Sequence, residues 1–214
     1  MSPTKFNGKN PWLSIWVKPR STIAAIVKYN PKYRLWILSA LSGLPMLLQF
    51  SQTFMLGKTS SILAIFVIAV LLSFLVGIIN ITVWSALCFW TGKWIGGKSS
   101  FSNVRTAVAW SNVPHVVTVV LWLGLALVYK GQLFNGEYVN EFVVWKELFL
   151  VGTGFIQLIC SIWSLVILVN GLAQVQGFSG WKGILNMLLP ILLVIAAAWI
   201  FMDILMWSAK GMTA

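Results

Sequence analysis

Acidic side chains are almost missing from this chain: four Asp or Glu stand among 214 residues, against fifteen Lys or Arg and a single His. Charged residues make up 9% of the sequence and hydrophobic ones 59%, with mean hydropathy +0.88. That balance excludes a water-soluble globular domain. With so few acids, one histidine and two cysteines there is no ligand set for a dedicated metal cage, and neither metal nor other cofactor is expected. Cys88 and Cys160 both sit inside apolar runs, which excludes a disulfide framework. A net charge of +11 would point to nucleic acid in a soluble protein. Here the cations flank apolar runs, so membrane lipid is the expected partner and nucleic acid is not.

What is present is a series of long uncharged intervals. Arg34 to Lys58 encloses 23 such residues, Lys58 to Lys93 34, Arg105 to Lys130 24, Glu147 to Lys182 34 and Lys182 to Asp203 20. About 20 helical residues rising ~1.5 Å each cross ~30 Å of hydrocarbon, so every interval holds one span and none holds two with a turn. The expected fold is all-α: a polytopic membrane bundle of five transmembrane helices over 35–56, 62–90, 106–129, 148–172 and 184–207. Residues 1–34 form a short amphipathic, interfacial segment and 208–214 a short outer tail. Helices follow because lipid-facing backbone must satisfy its own hydrogen bonds, and these runs lack the period-two alternation of barrel strands. The first apolar run starts at Leu35, after seven basic residues, and reads as a retained span. Pro45, Pro114 and Pro190 fall inside three spans and bend them. Small residues four apart, Ser39 with Gly43 and Ser73 with Gly77, let two helix backbones approach closely.

Alternating the spans gathers eleven of the fifteen Lys and Arg on one side. The positive-inside rule makes that side cytoplasmic, with the amino terminus in and the carboxyl terminus out. None of the acids falls there: Glu137, Glu141 and Glu147 share the third loop and Asp203 lies near the outer end of the last span. Trp12, Leu13, Ile15 and Trp16, then Ile23, Ile26 and Val27 among Lys18, Arg20 and Lys28, read as amphipathic helices broken at Pro19. Their tryptophans suit the headgroup level, and each base near an anionic surface is worth ~1 kcal/mol.

Two motifs mimic catalytic ones. Gly92-Lys93-Trp94-Ile95-Gly96-Gly97-Lys98-Ser99 fits the phosphate-cradling P-loop pattern. It follows a membrane helix in place of a buried strand, and the predicted inner face has no acid to hold magnesium. Without catalysis, its exposed glycine N–H groups and two lysines could hold one lipid phosphate. Gly177-Phe178-Ser179-Gly180 resembles the surroundings of an intramembrane protease serine, with His115 the one available base. The serine's place in a loop and the proline before the histidine argue against that chemistry. Asp203 is the one ionisable residue inside a span, a candidate by default. At 20 residues from Gly183 it lies about 30 Å along the helix, close to the outer interface.

A broader constellation lies at the predicted cytoplasmic helix ends. Lys93, Lys98, Arg105, Trp110, Asn112 and His115 surround the second loop; Asn170, Gln174, Gln176 and Lys182 surround the fourth. Amides facing lipid are costly, so they bond across helices or line a polar pocket. Trp12, Trp16 and Trp94 are interfacial anchors.

At these residues the chain resembles the prokaryotic branch of the Yip1 domain family. The likeness rests on Asn10-Pro11-Trp12-Leu13-Ser14-Ile15-Trp16, Thr91-Gly92-Lys93-Trp94 with Gly96-Gly97, Ala109-Trp110-Ser111-Asn112-Val113-Pro114, and Gly171-Leu172-Ala173-Gln174-Val175-Gln176-Gly177-Phe178-Ser179. It runs from about Asn10 to Pro190. The resemblance implies five spans and, in bacteria, the cytoplasmic membrane; eukaryotic relatives meet small GTPases through a longer cytosolic amino-terminal region. The leading expectation is a non-enzymatic multi-pass protein whose basic face binds anionic lipid headgroups or an acidic protein partner, alone or as a homo-oligomer. The alternatives are a transporter or channel for a small solute, ion or lipid, with the buried amides and Asp203 as path, and a Ser179/His115 hydrolase.

Overall fold

A computed structural model describes residues 10–137 and 143–211. Lys5, Lys9, Glu141 and the last three residues of the expected outer tail lie outside the described residues. Nine α-helices are described: α1 Pro11–Val17, α2 Pro19–Tyr29, α3 Leu35–Thr53, α4 Ile62–Trp94, α5 Phe101–Ser111, α6 His115–Tyr129, α7 Gln132–Asn135, α8 Val144–Gln176 and α9 Gly180–Gly211. Local chemistry sets their ends. Asn10 accepts the N–H of Trp12 ahead of Pro11, Ser61 caps α4 by accepting from Ala64, and Ser100 caps α5 by accepting from Asn103. Gly177, at φ +73°, stops α8 in the left-handed region that a side chain would strain.

Four helical stretches are long and apolar enough to cross a membrane: Ile62–Trp94, Phe101–Tyr129, Val144–Gln176 and Gly180–Ile204. This corrects the expected five. The missing one is α3, whose 19 residues reach about 28 Å. Pro45 and the polar Gln49, Ser51 and Gln52 dilute its second half. It still lies antiparallel along α4, Leu38 meeting the Ile81 cluster and Leu48 the cluster of Ile65 and Ala69. The approach is backbone on backbone, as the small residues foretold: a Cβ on Gly43 would overlap the Ser73 carbonyl oxygen, and one on Gly77 that of Ser39.

The remaining boundaries differ in instructive ways. Helix α4 continues to Trp94 and α8 fills 144–176, each longer than its apolar run by the polar turns at its ends. The third span is two helices, because Asn112, Val113 and Pro114 form a turn and α6 restarts at His115. Pro45 and Pro190, by contrast, sit within continuous helices.

The helices α1 and α2 are seated in the bundle. Ile15, Ile23 and Ile26 are fully buried, packed with α5 and α8. Trp110 of α5 is enclosed beneath them, 5.4 Å from the Trp12 ring and stacked on Tyr33 at 6.2 Å. Thr106 donates to the Pro31 carbonyl at 2.6 Å, and Arg20 Nε to Asn170 Oδ1 at 3.0 Å. The opposite end has its own core, where Phe134 of α7 stacks on Trp122 and Tyr129 donates to the Lys146 carbonyl at 2.7 Å. The buried core is thus two apolar clusters, one at each end of the bundle.

Candidate functional site

Helix directions sort the described charges by end. Lys18, Arg20, Lys28, Lys32 and Arg34 lie from the α1–α2 junction to the start of α3, Lys93 at the end of α4, Lys98 and Arg105 in the α4–α5 turn and the start of α5, and Lys182 in the first turn of α9, all at one end. Among the described residues no acid stands there; Glu137, Glu147 and Asp203 fall toward the other end. Lys93, Lys98, Lys182 and Gln174 are exposed, as are the rings of Trp90, Trp94 and Trp181. Lys182 Nζ donates to the Ile95 carbonyl at 3.4 Å and lies 5.9 Å from the Phe178 ring centre; Arg105 lies over Phe101 at 5.6 Å. Trp12 and Trp16 are half-buried against the α5 cluster. Trp110, grouped with the rim by sequence, is fully enclosed and touches neither water nor lipid.

The glycine-rich loop has a different task from the one its pattern suggests. A Cβ on Gly92 or Gly97 would collide with the Gln176 side chain, so these glycines make room for that amide. Gln176 Oε1 accepts from Ser99 N at 3.2 Å and its carbonyl from Lys98 N at 3.4 Å. Ile95, Gly96 and Gly97 donate to Thr91, Lys93 and Gly92. With every N–H from Ile95 to Ser99 committed inside the protein, the loop has no donor ring to offer a phosphate. That corrects the phosphate-cradle reading of the loop. Asn186, fully buried beside it, donates to the Cys88 carbonyl at 2.8 Å and to Thr91 Oγ1 at 2.9 Å.

A second feature lies between the two apolar clusters. Cavities of about 340 and 270 Å³ share Asn80, Asn112, His115 and Ser161. The first continues along Cys88, Ser164 and Leu168 toward the basic end, the second along Gln49, Trp122 and Gln157 toward the other. From Gln157 to Leu168 along α8 the pair covers about 17 Å. The α5–α6 turn lies against both cavities and contributes Asn112 and His115 to each. Asn112 and His115 therefore stand at mid-bundle and not at the cytoplasmic rim, which corrects their expected depth. Asn80, Gln157, Ser161 and Ser164 went unnoticed in sequence; the spacing of Gln157, Ser161, Ser164 and Leu168 on one face of α8 was the available signal.

Two other sequence candidates separate from this cavity. Ser179 Oγ accepts the Lys182 N–H at 3.5 Å as a loose helix cap on α9. It lies beyond the end of α8, roughly 20 Å or more from the level of Ser161, so it and His115 cannot form a nucleophile and base. Asp203 is exposed on the outside of α9 and lines neither cavity, so it is no part of the proposed path.

The motif blocks converge in space. Trp12 rests on Trp110, the Thr91–Gly97 segment wraps Gln176, and Asn186 joins the same knot. A family model described as Yip1 domain matches residues 13–202. The chain belongs to the Yip1 domain family. No curated protein and no solved structure matches it. Family and apolar helices together make this Yip1-domain chain a multi-pass integral membrane protein. These blocks of the Yip1-domain chain hold its basic end together by packing and hydrogen bonding.

Proposed function

We propose that the basic end binds anionic lipid headgroups and holds the bundle, with α1 and α2, against the cytoplasmic leaflet of a bacterial inner membrane, organising lipid there without a reaction of its own. One observation carries this reading: all nine described cations of that end face no described acid of their own, and exposed Trp90, Trp94 and Trp181 ring it at interfacial height. Lys93, Lys98, Arg105 and Lys182 supply the charge and Gln174 an exposed amide. The test is native lipid retention by wild type and by a variant with those four cations changed to Gln. Each is worth ~1 kcal/mol at low salt, so retained anionic lipid drops at least about tenfold, and less as salt rises. Unchanged retention removes the mechanism; retention of an acidic protein in place of lipid transfers the site to that partner. Impermeant lysine labelling from outside intact cells must leave Lys98 and Lys182 untouched in the wild type, and Lys28 and Lys32, at the same end, untouched in both proteins.

The polar cavity favours a second reading, movement of an uncharged solute or lipid through the bundle. Flux into proteoliposomes tests it, and here His115→Ala, not Asp203→Asn, is the variant that abolishes flux.

A further inference from the structure

The mid-bundle cavity is built for something uncharged. Asn80 lies near the middle of the 33-residue α4 and Ser161 near the middle of the 33-residue α8, so the cavity sits at the depth where a charge is most costly. No Lys, Arg, Asp or Glu lines it. Its polar groups are amides, hydroxyls and one imidazole, and several are unspent. Neither Asn80 nor His115 makes a side-chain hydrogen bond to described protein. Asn112 spends Nδ2 on the Val108 carbonyl, leaving its oxygen as acceptor, and Ser164 Oγ is buried without a partner. Ser164 Oγ is the buried atom among them, and a buried hydroxyl without a partner is rare; with the half-buried amides and imidazole open around the same space, it marks a place for a hydrogen-bonding guest.

The wall is mixed toward Gln49 and Gln157 and mainly apolar toward the basic end. Cys88, Val108, Leu168 and Ile191 line the part nearer the basic end. The mouth is lateral, because the lining residues Ser161 and Leu165 are exposed on the outer face of α8, toward the membrane. A guest arriving from lipid must bring an apolar body and a head that costs little to bury. Phospholipid heads fail that condition and neutral amphiphiles meet it. We infer that this cavity binds a membrane-dissolved neutral lipid bearing one hydroxyl or amide, its head held by His115, Asn80, Asn112 and Ser164. This site is separate from the basic end and stands whether or not that end binds anionic headgroups.

The full chain in nanodiscs is irradiated with a diazirine-bearing long-chain alcohol, its phosphate monoester or the matching alkane. The alcohol labels peptides of α8 and α6 that contain Ser164 and His115, and unlabelled dioleoylglycerol competes. Phosphate monoester and alkane label them about tenfold less, one to two hydrogen bonds' worth. Ser164→Leu, which fills the cavity, removes the label. Should that variant not give a monodisperse protein, His115→Ala decides: it keeps the space but brings alcohol and alkane labelling together. Equal labelling by all three probes in the wild type, labels confined to the exposed face of α9, or an unchanged alcohol preference in His115→Ala overturns the assignment. So does the four-cation variant, if it abolishes the alcohol label while remaining folded.

Discussion

Gly77→Leu is expected to cost about 3 kcal/mol or more, the largest loss from any single change considered, because the obstacle is backbone on both sides. The hydrogen of Gly77 faces the Ser39 carbonyl, and Gly43 faces Ser73 in the same contact. A leucine there has no rotamer that avoids its own Cβ, so α3 must lift from α4. Lifting it loosens Leu38 and Leu48, one in each apolar cluster. Unfolding in mixed detergent and SDS micelles, followed by tryptophan emission, reads the cost. Gly152→Ala is the control: it is exposed with open space around its Cβ position, and it stays within about 1 kcal/mol of wild type, on the stabilising side. A Gly77→Leu protein as stable as the parent would mean that the helices are not in backbone contact.

The second large effect is expected at Gln176→Leu. The replacement is of similar size, so little packing is lost, but Ser99 N is left buried without its acceptor. An orphaned buried group costs ~1–3 kcal/mol, and its consequences are local. The turn from Ile95 to Ser100 packs on that amide at Gly97 and is bonded to it at Ser99. Its amides exchange faster, by a factor of ~10 or more at Ser99 for a loss of 1.4 kcal/mol. Gln174→Leu, two residues away on the exposed side of the same helix, changes stability by less than ~0.5 kcal/mol. If the two variants behave alike, the glycine loop is not organised around Gln176.

These two predictions also mark what the sequence could and could not disclose. Small residues at spacing four foretold the Gly43–Gly77 contact because the signal is local to each helix. The partnership of Gln176 with Gly92 and Gly97 joins positions about eighty residues apart, and no periodicity within either segment points to the other. Trp110 shows the opposite hazard. Tryptophan near a helix end usually marks the headgroup belt, but α1 and α2 fold back over this one and turn an interfacial residue into core. The span count failed at α3 because an interval free of charge is not the same as an apolar one: Gln49, Ser51 and Gln52 carry no charge. Pro114 was legible as a bend. That it would end one helix and start another, placing His115 in a cavity, depended on how Asn80 and Ser161 stand across the bundle.

The seating of α2 has a bearing on how the chain is made. Its berth consists of α5 and α8, and its Arg20 reaches Asn170, 150 positions later in the chain. During synthesis the segment leaves the ribosome before any wall of that berth exists. It must wait, with Arg20 and Lys28 free to rest on lipid, until the eighth helix has emerged. A helix translated early therefore docks late, only after α8 has been made.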